Sequence, residues 1–269
     1  MGGPKKRDQL KVNDYYERSN KSVKFLLAIP NFNDATRLKP FLAELMKVLP
    51  DSFEIILSDD GSSETEREAL IRCIAYARSN GPLSGPKLLD PIFTLKNQGK
   101  GAAIMRAWDQ AGPDVDAVAF ADADGAVCPA EILRSAHFFA TAGIDALFAN
   151  RVKMLGRTVE RSLKRHLAGR IFATLVSNIG GVTAYDTQCG LKILSADAYK
   201  KMRPYLKTPG FAFDVELCML LVKFGFRVIE FPVDWRDVPG SKVSLLRDSW
   251  SMALEVFRIR SRIDSIPSF

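Results

Sequence analysis

Cysteine is scarce and scattered: Cys73, Cys128, Cys189 and Cys218 are the four in 269 residues. They form no C-x-x-C pair and no zinc spacing, which argues against a disulfide framework and a structural zinc site. Histidine is scarcer still, and His137 and His166 are expected to be surface or helix-packing residues rather than catalysts. No apolar run approaches the ~18 residues of a membrane span, so the expectation is a soluble or peripheral protein. No signal peptide pattern opens the chain. With the scattered thiols, this points to a reducing compartment: cytoplasmic, or peripheral on the cytosolic face of a membrane. No G-x-G-x-x-G follows the first apolar stretch and no G-x-x-x-x-G-K-[ST] occurs anywhere, which argues against a dinucleotide oxidoreductase and a P-loop NTPase.

What is present is an ordinary globular composition, 47% hydrophobic and 26% charged, with a formal charge of +7. That charge favours anionic partners: nucleotides, lipid phosphates, nucleic acid or an acidic membrane surface. A polar, basic tail over 1–21 precedes alternating strand and helix patterns. Strands are expected over 23–29, 53–58, 92–95, 117–121, 145–149 and 227–233. Helices are expected over about 35–49, 63–79, 102–111, 214–224 and 244–262, with another after Pro129. Asp34 is placed to cap the first helix, and Ser63 with Glu66 fits a capping box. The alternation indicates an α/β fold, a mostly parallel sheet flanked by helices.

The stretch Ala117-Val118-Ala119-Phe120-Ala121-Asp122-Ala123-Asp124-Gly125 carries the chemistry. An apolar run ends in two carboxylates one residue apart. In open α/β sheets, ligands bind beyond the carboxyl ends of the strands. Paired carboxylates there repel one another unless a cation joins them, and Mg²⁺ binds through one or two carboxylates plus substrate phosphates. Two further loops fall at the same edge. Asp59-Asp60-Gly61 could hydrogen-bond a base or a ribose. Asn97-Gln98-Gly99-Lys100-Gly101 opens a helix whose N-terminus, with Lys100, favours an anion.

These segments, with Ile29-Pro30-Asn31-Phe32-Asn33-Asp34, stand in the order seen in family 2 glycosyltransferases, which the chain resembles. Asp186-Thr187-Gln188-Cys189-Gly190-Leu191-Lys192, Phe211-Ala212-Phe213-Asp214-Val215-Glu216 and Trp235-Arg236-Asp237-Val238-Pro239-Gly240-Ser241-Lys242 make it most similar to the polyprenyl-phosphate branch, the dolichyl-phosphate glucose synthases. The resemblance implies a glycosyltransferase A (GT-A) fold over 22–242, a nucleotide-sugar donor, Mg²⁺ or Mn²⁺, and inversion at the anomeric carbon. It implies that Pro30, Phe32, Asp34, Asp59 or Asp60, Lys100 and Ala123 bind the donor, with Asp122 and Asp124 on the metal. Arg151, Arg236 and Lys242 would neutralise phosphates. Ala126 stands where the mannose-transferring relatives carry Gln, so glucose from UDP-glucose is the favoured donor.

A lipid monophosphate has a second pKa near ~6 and is largely dianionic at neutral pH. It needs no general base, only relief from the repulsion of the donor diphosphate. Arg151, Lys153, Arg157, Arg161, Lys164, Arg165 and Arg170 have only Glu160 as a nearby counter-charge, and Arg151, Arg161 and Arg165 are expected at the acceptor phosphate. If the acceptor were a sugar or protein hydroxyl instead, Asp214 or Asp186 would be the base. The last segment, 243–269, reads as an amphipathic basic helix that could lie on a membrane surface. A non-enzymatic nucleic-acid-binding protein is the distant alternative. Its charge fits, but no recognition module or stacking motif appears, so no nucleic acid is expected.

Overall fold

The computed structural model describes residues 22–160, 184–239 and 245–267. In chain order its elements are β1 (Phe25–Asn31), α1 (Ala35–Val48), β2 (Phe53–Asp59), α2 (Glu64–Asn80), β3 (Lys87–Leu88), β4 (Ile92–Phe93), α3 (Lys100–Trp108), β5 (Ala117–Ala121), α4 (Pro129–Ala142), β6 (Ala146–Asn150), β7 (Val159–Glu160), β8 (Leu191–Ser195), α5 (Ala196–Met202), α6 (Phe213–Lys223), β9 (Val228–Pro232), β10 (Trp235–Arg236) and α7 (Leu245–Asp264). The main sheet runs β3-β2-β1-β5-β8-β6-β9, with β4 also paired to β2. All pairings are parallel except those of β8, which is antiparallel to both neighbours. β7 and β10 form a separate two-stranded sheet.

The central strands are apolar on both faces because helices cover both. Phe25, Leu27 and Ile29 point to one side, into a core with Leu38, Phe41, Leu42 and Leu45 of α1, Leu70 and Ile74 of α2, and Ile132 and Phe139 of α4. Leu26, Ala28, Val118 and Phe120 point to the other side, against Ile104 and Trp108 of α3, Tyr199 of α5, Leu217 and Leu220 of α6, and Val256, Ile259 and Ile263 of α7. The chain leaves β1 towards β2 on one side and returns with β5 on the other. The crevice between the carboxyl ends of β1 and β5 is therefore the point where strand order reverses, the usual ligand position of such sheets.

Several expectations need correction. Asp34 precedes α1 but does not cap it; its carboxylate takes Arg37 at 2.7 and 2.5 Å. Ser63 does accept from the Glu66 N–H at 3.4 Å, but the Glu66 carboxylate turns away to the Ala35 N–H at 3.0 Å, so the box is half made. β8 and α5 were not anticipated. The basic tail over 1–21 lies outside the described residues.

α7 is fastened by charge as well as by its apolar face. Arg262 pairs with the fully buried carboxylate of Glu216, which also accepts the backbone N–H groups of Lys207 at 3.0 Å and Thr208 at 2.7 Å. Arg262→Met strands that charge. The expected loss is about 2 kcal/mol, below the ~3–5 of a fully buried pair because the two N–H donors remain. A thermal melt should fall by about 4–8 °C for a chain of this size, and the double variant Arg262→Met/Glu216→Gln should recover most of it. An unchanged melt for the single variant would contradict the latch.

Candidate active site

A cavity of about 370 Å³ opens at the β1–β5 switch point. Pro30, Asn31, Phe32, Asp34 and Arg37 line it from the end of β1 and the start of α1, and Asp122, Ala123 and Asp124 from the end of β5. Asp60, Asn97, Gly99, Lys100 and Ala103 close a third side, and Phe211 a fourth. Of the residues expected at the donor, Pro30, Phe32, Asp34, Asp60, Lys100, Asp122, Ala123 and Asp124 are thus brought together.

The loop after β2 is clipped in place by its own acids. Asp60 accepts from the N–H groups of Gln98 at 2.9 Å and Gly99 at 2.6 Å, and from Arg106 at 2.6 Å. Gly99 has φ +109° and sits where a Cβ would meet the Pro209 carbonyl oxygen at 2.4 Å, so glycine is required before α3. Lys100, the first residue of that helix, then points at Asp122, with Nζ 2.7 Å from Oδ1.

Electrostatics differentiate the two acids of β5. Partial burial would raise the Asp122 carboxyl, but the Lys100 ammonium, with Lys192 and Arg151 behind it, holds it below the usual range. The Asp124 carboxyl is raised by burial and by the Asp122 charge. Its nearest cation among the described residues, Arg37 Nη1, is 3.8 Å away. Burial opposes the Lys100 charge, yet Asp122 and Asp214 raise its pKa. Arg37 Nη1 and Asn31 Oδ1 are both buried and without a hydrogen-bond partner among the described residues. A donor and an acceptor are therefore left over at one cavity, and buried polar groups of this kind call for a ligand or water.

The carboxylate pair fits a hard divalent cation. Among the described residues no group of three or more His, Cys, Asp or Glu could hold a metal. Two carboxylates facing one cavity leave the remaining positions to phosphate oxygens and water, as Mg²⁺ prefers. The raised Asp124 carboxyl marks the repulsion that such a cation would relieve.

Other expected residues lie elsewhere. Asp59 sits fully buried beneath the cavity, with its carboxylate held by Asn31 Nδ2 at 2.8 Å and by Ser62. Asp214 is 1% exposed and paired to Lys192 at 2.8 Å and Lys100 at 3.7 Å, so it is no free base. Arg236 is exposed, 3.3 Å from Glu160 and outside the cavity lining. Arg151 does have a strong counter-charge, Asp186, in a two-pronged pair at 2.6 and 2.8 Å, and Arg157 pairs with Glu131 at 3.2 Å. The basic run is therefore not served by Glu160 alone. Arg161, Arg165 and Lys242, with Lys164, His166 and Arg170, lie outside the described residues. Cys189 is a buried thiol pushed up to about 12 by burial, inert at neutral pH. Arg37, Asn31 and Phe211 were missed as lining residues; only the i, i+3 spacing of Asp34 and Arg37 on α1 hinted at the first.

The parallel sheet with one reversed strand, the cleft at its switch point and the paired acids on its rim define a glycosyltransferase of GT-A architecture. Glucosyl-3-phosphoglycerate synthase from Mycobacterium tuberculosis, solved with Mn²⁺, UDP and phosphoglyceric acid, superposes with a TM-score of 0.64 at 14% identity, covering 99% of this chain and 85% of its own. The glycosyl transferase family 2 model matches residues 27–203, and the chain belongs to that family. Dolichyl-phosphate beta-glucosyltransferase of Saccharomyces cerevisiae is 29% identical over 250 residues, 87% of this chain and 73% of the yeast protein. The protein of the same name from Dictyostelium discoideum is 27% identical over 247 residues, again 87% and 73%.

Proposed function

We propose that this protein transfers glucose from UDP-glucose to a dolichyl-type polyprenyl monophosphate, with inversion and with Mg²⁺ or Mn²⁺ as cofactor. The observation that carries the reading is the juxtaposition of Asp122, Asp124, Lys100 and the free Nη1 edge of Arg37 around one cavity. Two acids and two bases at that spacing suit a diphosphate that arrives with a cation. The names of the relatives supply the acceptor class and the sugar.

In this reading Phe32 and Phe211 flank the nucleoside, and Asn31 and Asp34 offer acceptors to it. Asp122 and Asp124 hold the divalent cation, which when bound neutralises charge developing on the departing diphosphate. Lys100 and Arg37 bind diphosphate oxygens directly. The acceptor phosphate is already an anion, so no residue has to take a proton from it. Asp214 is accordingly free to be a structural acid. Arg151, braced by Asp186, lies close enough to lower the Asp122 carboxyl, and it takes the acceptor phosphate with Arg161 and Arg165. Lys242 serves the same phosphates, while Arg236, exposed and paired with Glu160, does not take part.

The test is transfer from labelled UDP-glucose with either a short polyprenyl phosphate or a panel of sugar and peptide hydroxyls. Label should move into an organic-soluble, acid-labile product only with the phosphate lipid. Label reaching hydroxyl acceptors alone would replace the proposal with a family 2 enzyme of different acceptor class.

The 22–242 segment is then the catalytic domain and α7 the contact with the bilayer, on its cytosolic face. Among the described residues no helix is long and apolar enough to cross a membrane. α7 buries Val256, Ile259 and Ile263 but leaves Leu254 and Phe257 more than half exposed, three residues apart on one face beside Arg258. Vesicles rich in anionic lipid should retain the protein at low salt, and Leu254→Ser/Phe257→Ser should weaken retention by about 10²-fold, the scale of two lost apolar side chains at ~1.5 kcal/mol each. Equal retention of the variant would remove α7 from the role.

A further inference from the structure

Behind Asp122 runs a line of alternating charges, of which the reaction above uses only Asp122 and Lys100. Lys100 Nζ is 2.7 Å from Asp122 Oδ1 and 3.7 Å from Asp214 Oδ2. The other oxygen of Asp214 is 2.8 Å from Lys192 Nζ. Lys192 is 0% exposed, an unusual position for lysine, and donates to the Cys189 carbonyl. Both ammonium groups lie over the Phe120 ring, at 4.9 and 5.2 Å, and Lys192 also faces Phe148 at 5.5 Å. Asp122, Lys100, Asp214 and Lys192 thus form a chain in which Lys100 is shared between two acids at unequal distances.

We propose that Lys100 is the resident counter-ion of Asp122 and exchanges to Asp214 when a divalent cation enters, with Lys192 fixing Asp214 as the receiver. The inference rests on the metal reading given above. An ammonium in contact with Asp122 Oδ1 and a divalent cation on the same carboxylate repel strongly at short range. One of them must move. On the side of Gly190 the carboxylate has no room to retreat, because a Cβ added there would already lie 2.2 Å from Asp122 Oδ2. Lys100 can move: a shift of about 1 Å, the difference between its two contacts, brings it to hydrogen-bond distance of Asp214. Asp214 is kept ready by Lys192, and the Phe120 face lies beneath both ammonium groups. The exchanged Lys100 still borders the cavity and can meet a diphosphate oxygen. Lys192 and Asp214 are positioning residues here, since neither lines the cavity.

The test is Mn²⁺ binding followed by the electron paramagnetic resonance signal of the free ion and by calorimetry, with and without UDP. In the absence of UDP, Lys100→Met should bind Mn²⁺ about tenfold more tightly than the wild type, because a competing cation is gone. With Mn²⁺ saturating, the same variant should bind UDP about tenfold more weakly, so the sign reverses. The double variant Asp214→Asn/Lys192→Met, which removes the receiver without stranding a charge, should weaken Mn²⁺ binding. Lys100→Gln serves as the second charge-removing variant should Lys100→Met fail to fold. If the wild type binds Mn²⁺ and neither Lys100 variant binds it more tightly, the exchange is wrong and the metal reading stands. If the wild type binds no Mn²⁺ even with UDP, the metal reading fails and this inference falls with it.

Discussion

Asp124→Asn should lower the transfer rate by at least ~10²-fold, the scale of one lost electrostatic stabiliser, and leave the melting temperature of the free protein unchanged or higher. The two halves of this result have one cause. Asp124 is partly buried, close to Asp122, and among the described residues has no cation closer than Arg37 Nη1 at 3.8 Å. Its raised carboxyl means that the folded protein, without metal, disfavours the negative charge there. Asparagine keeps the shape and the acceptor for the Ala126 N–H, which the Asp124 Oδ1 now takes at 3.0 Å, and removes that charge. The free fold therefore loses nothing, while the proposed metal site loses a ligand. The pH behaviour follows with a definite sign. A group raised on folding binds its proton more readily in the native state, so stability of the metal-free wild type declines as pH rises through the shifted value. Mn²⁺ affinity moves the opposite way, rising with pH, because the ion needs the carboxylate form. A steady-state assay with added Mg²⁺ and Mn²⁺, beside thermal melts of both proteins across pH, checks all three. Near-normal turnover in the variant would remove Asp124 from the metal, and a large drop in its melting temperature would mean the acid is structural.

The parallel strands β1, β2, β5 and β6 were legible because burial on both faces leaves an uninterrupted apolar run, and the acids ending β5 stood out against it. β8 was not, for a physical reason. Its second residue is Lys192, and a lysine inside a strand reads as a surface residue unless its partner is known. That partner, Asp214, arrives from α6, and nothing local in sequence pairs the two. The same blindness affected Arg151, whose counter-charge Asp186 lies 35 residues on. It affected Arg37 too, which looks like an ordinary polar position on α1. Asp59 and Asp60 show the limit from the other side. Adjacent acids at a strand end are expected at the ligand edge, but only tertiary contacts decide that Asp59 turns inward to Asn31 and Ser62 while Asp60 clips the Gly99 loop. Charge–charge partners separated by many residues are what a single sequence conceals, and this site is built mainly from such pairs.

Gly190→Ala should be nearly as damaging as Asp124→Asn, although Gly190 carries no functional group. β8 starts where β5 ends, and the Gly190 carbonyl accepts the Asp122 N–H at 2.9 Å. That bond presses the two backbones together at the rim. A Cβ at residue 190 would lie 2.2 Å from Asp122 Oδ2, 2.6 Å from its Cγ and 3.0 Å from its Cβ. The first two are closer than atoms can stand, and the third is at the limit. Something must shift, and Asp122 is the more mobile partner, since the Gly190 backbone is tied into the sheet through the Leu191 pairing with Ala121. The displaced carboxylate leaves both Lys100 and the direction it shares with Asp124. A misplacement of about 1 Å at a reacting centre costs on the order of 10²-fold in rate, while overpacking of this kind costs about 1–3 kcal/mol in stability. The expected outcome is a protein that still folds, melts somewhat lower, and has lost Mn²⁺ affinity together with most of its turnover. Gly210→Ala is the matched control: it neighbours the cavity residue Phe211, yet a Cβ there meets nothing within 4 Å. It should stay within about twofold of wild type, as surface substitutions commonly do. Full activity in Gly190→Ala would mean that Asp122 can leave its place without consequence, and the cation would then have to be held by other groups.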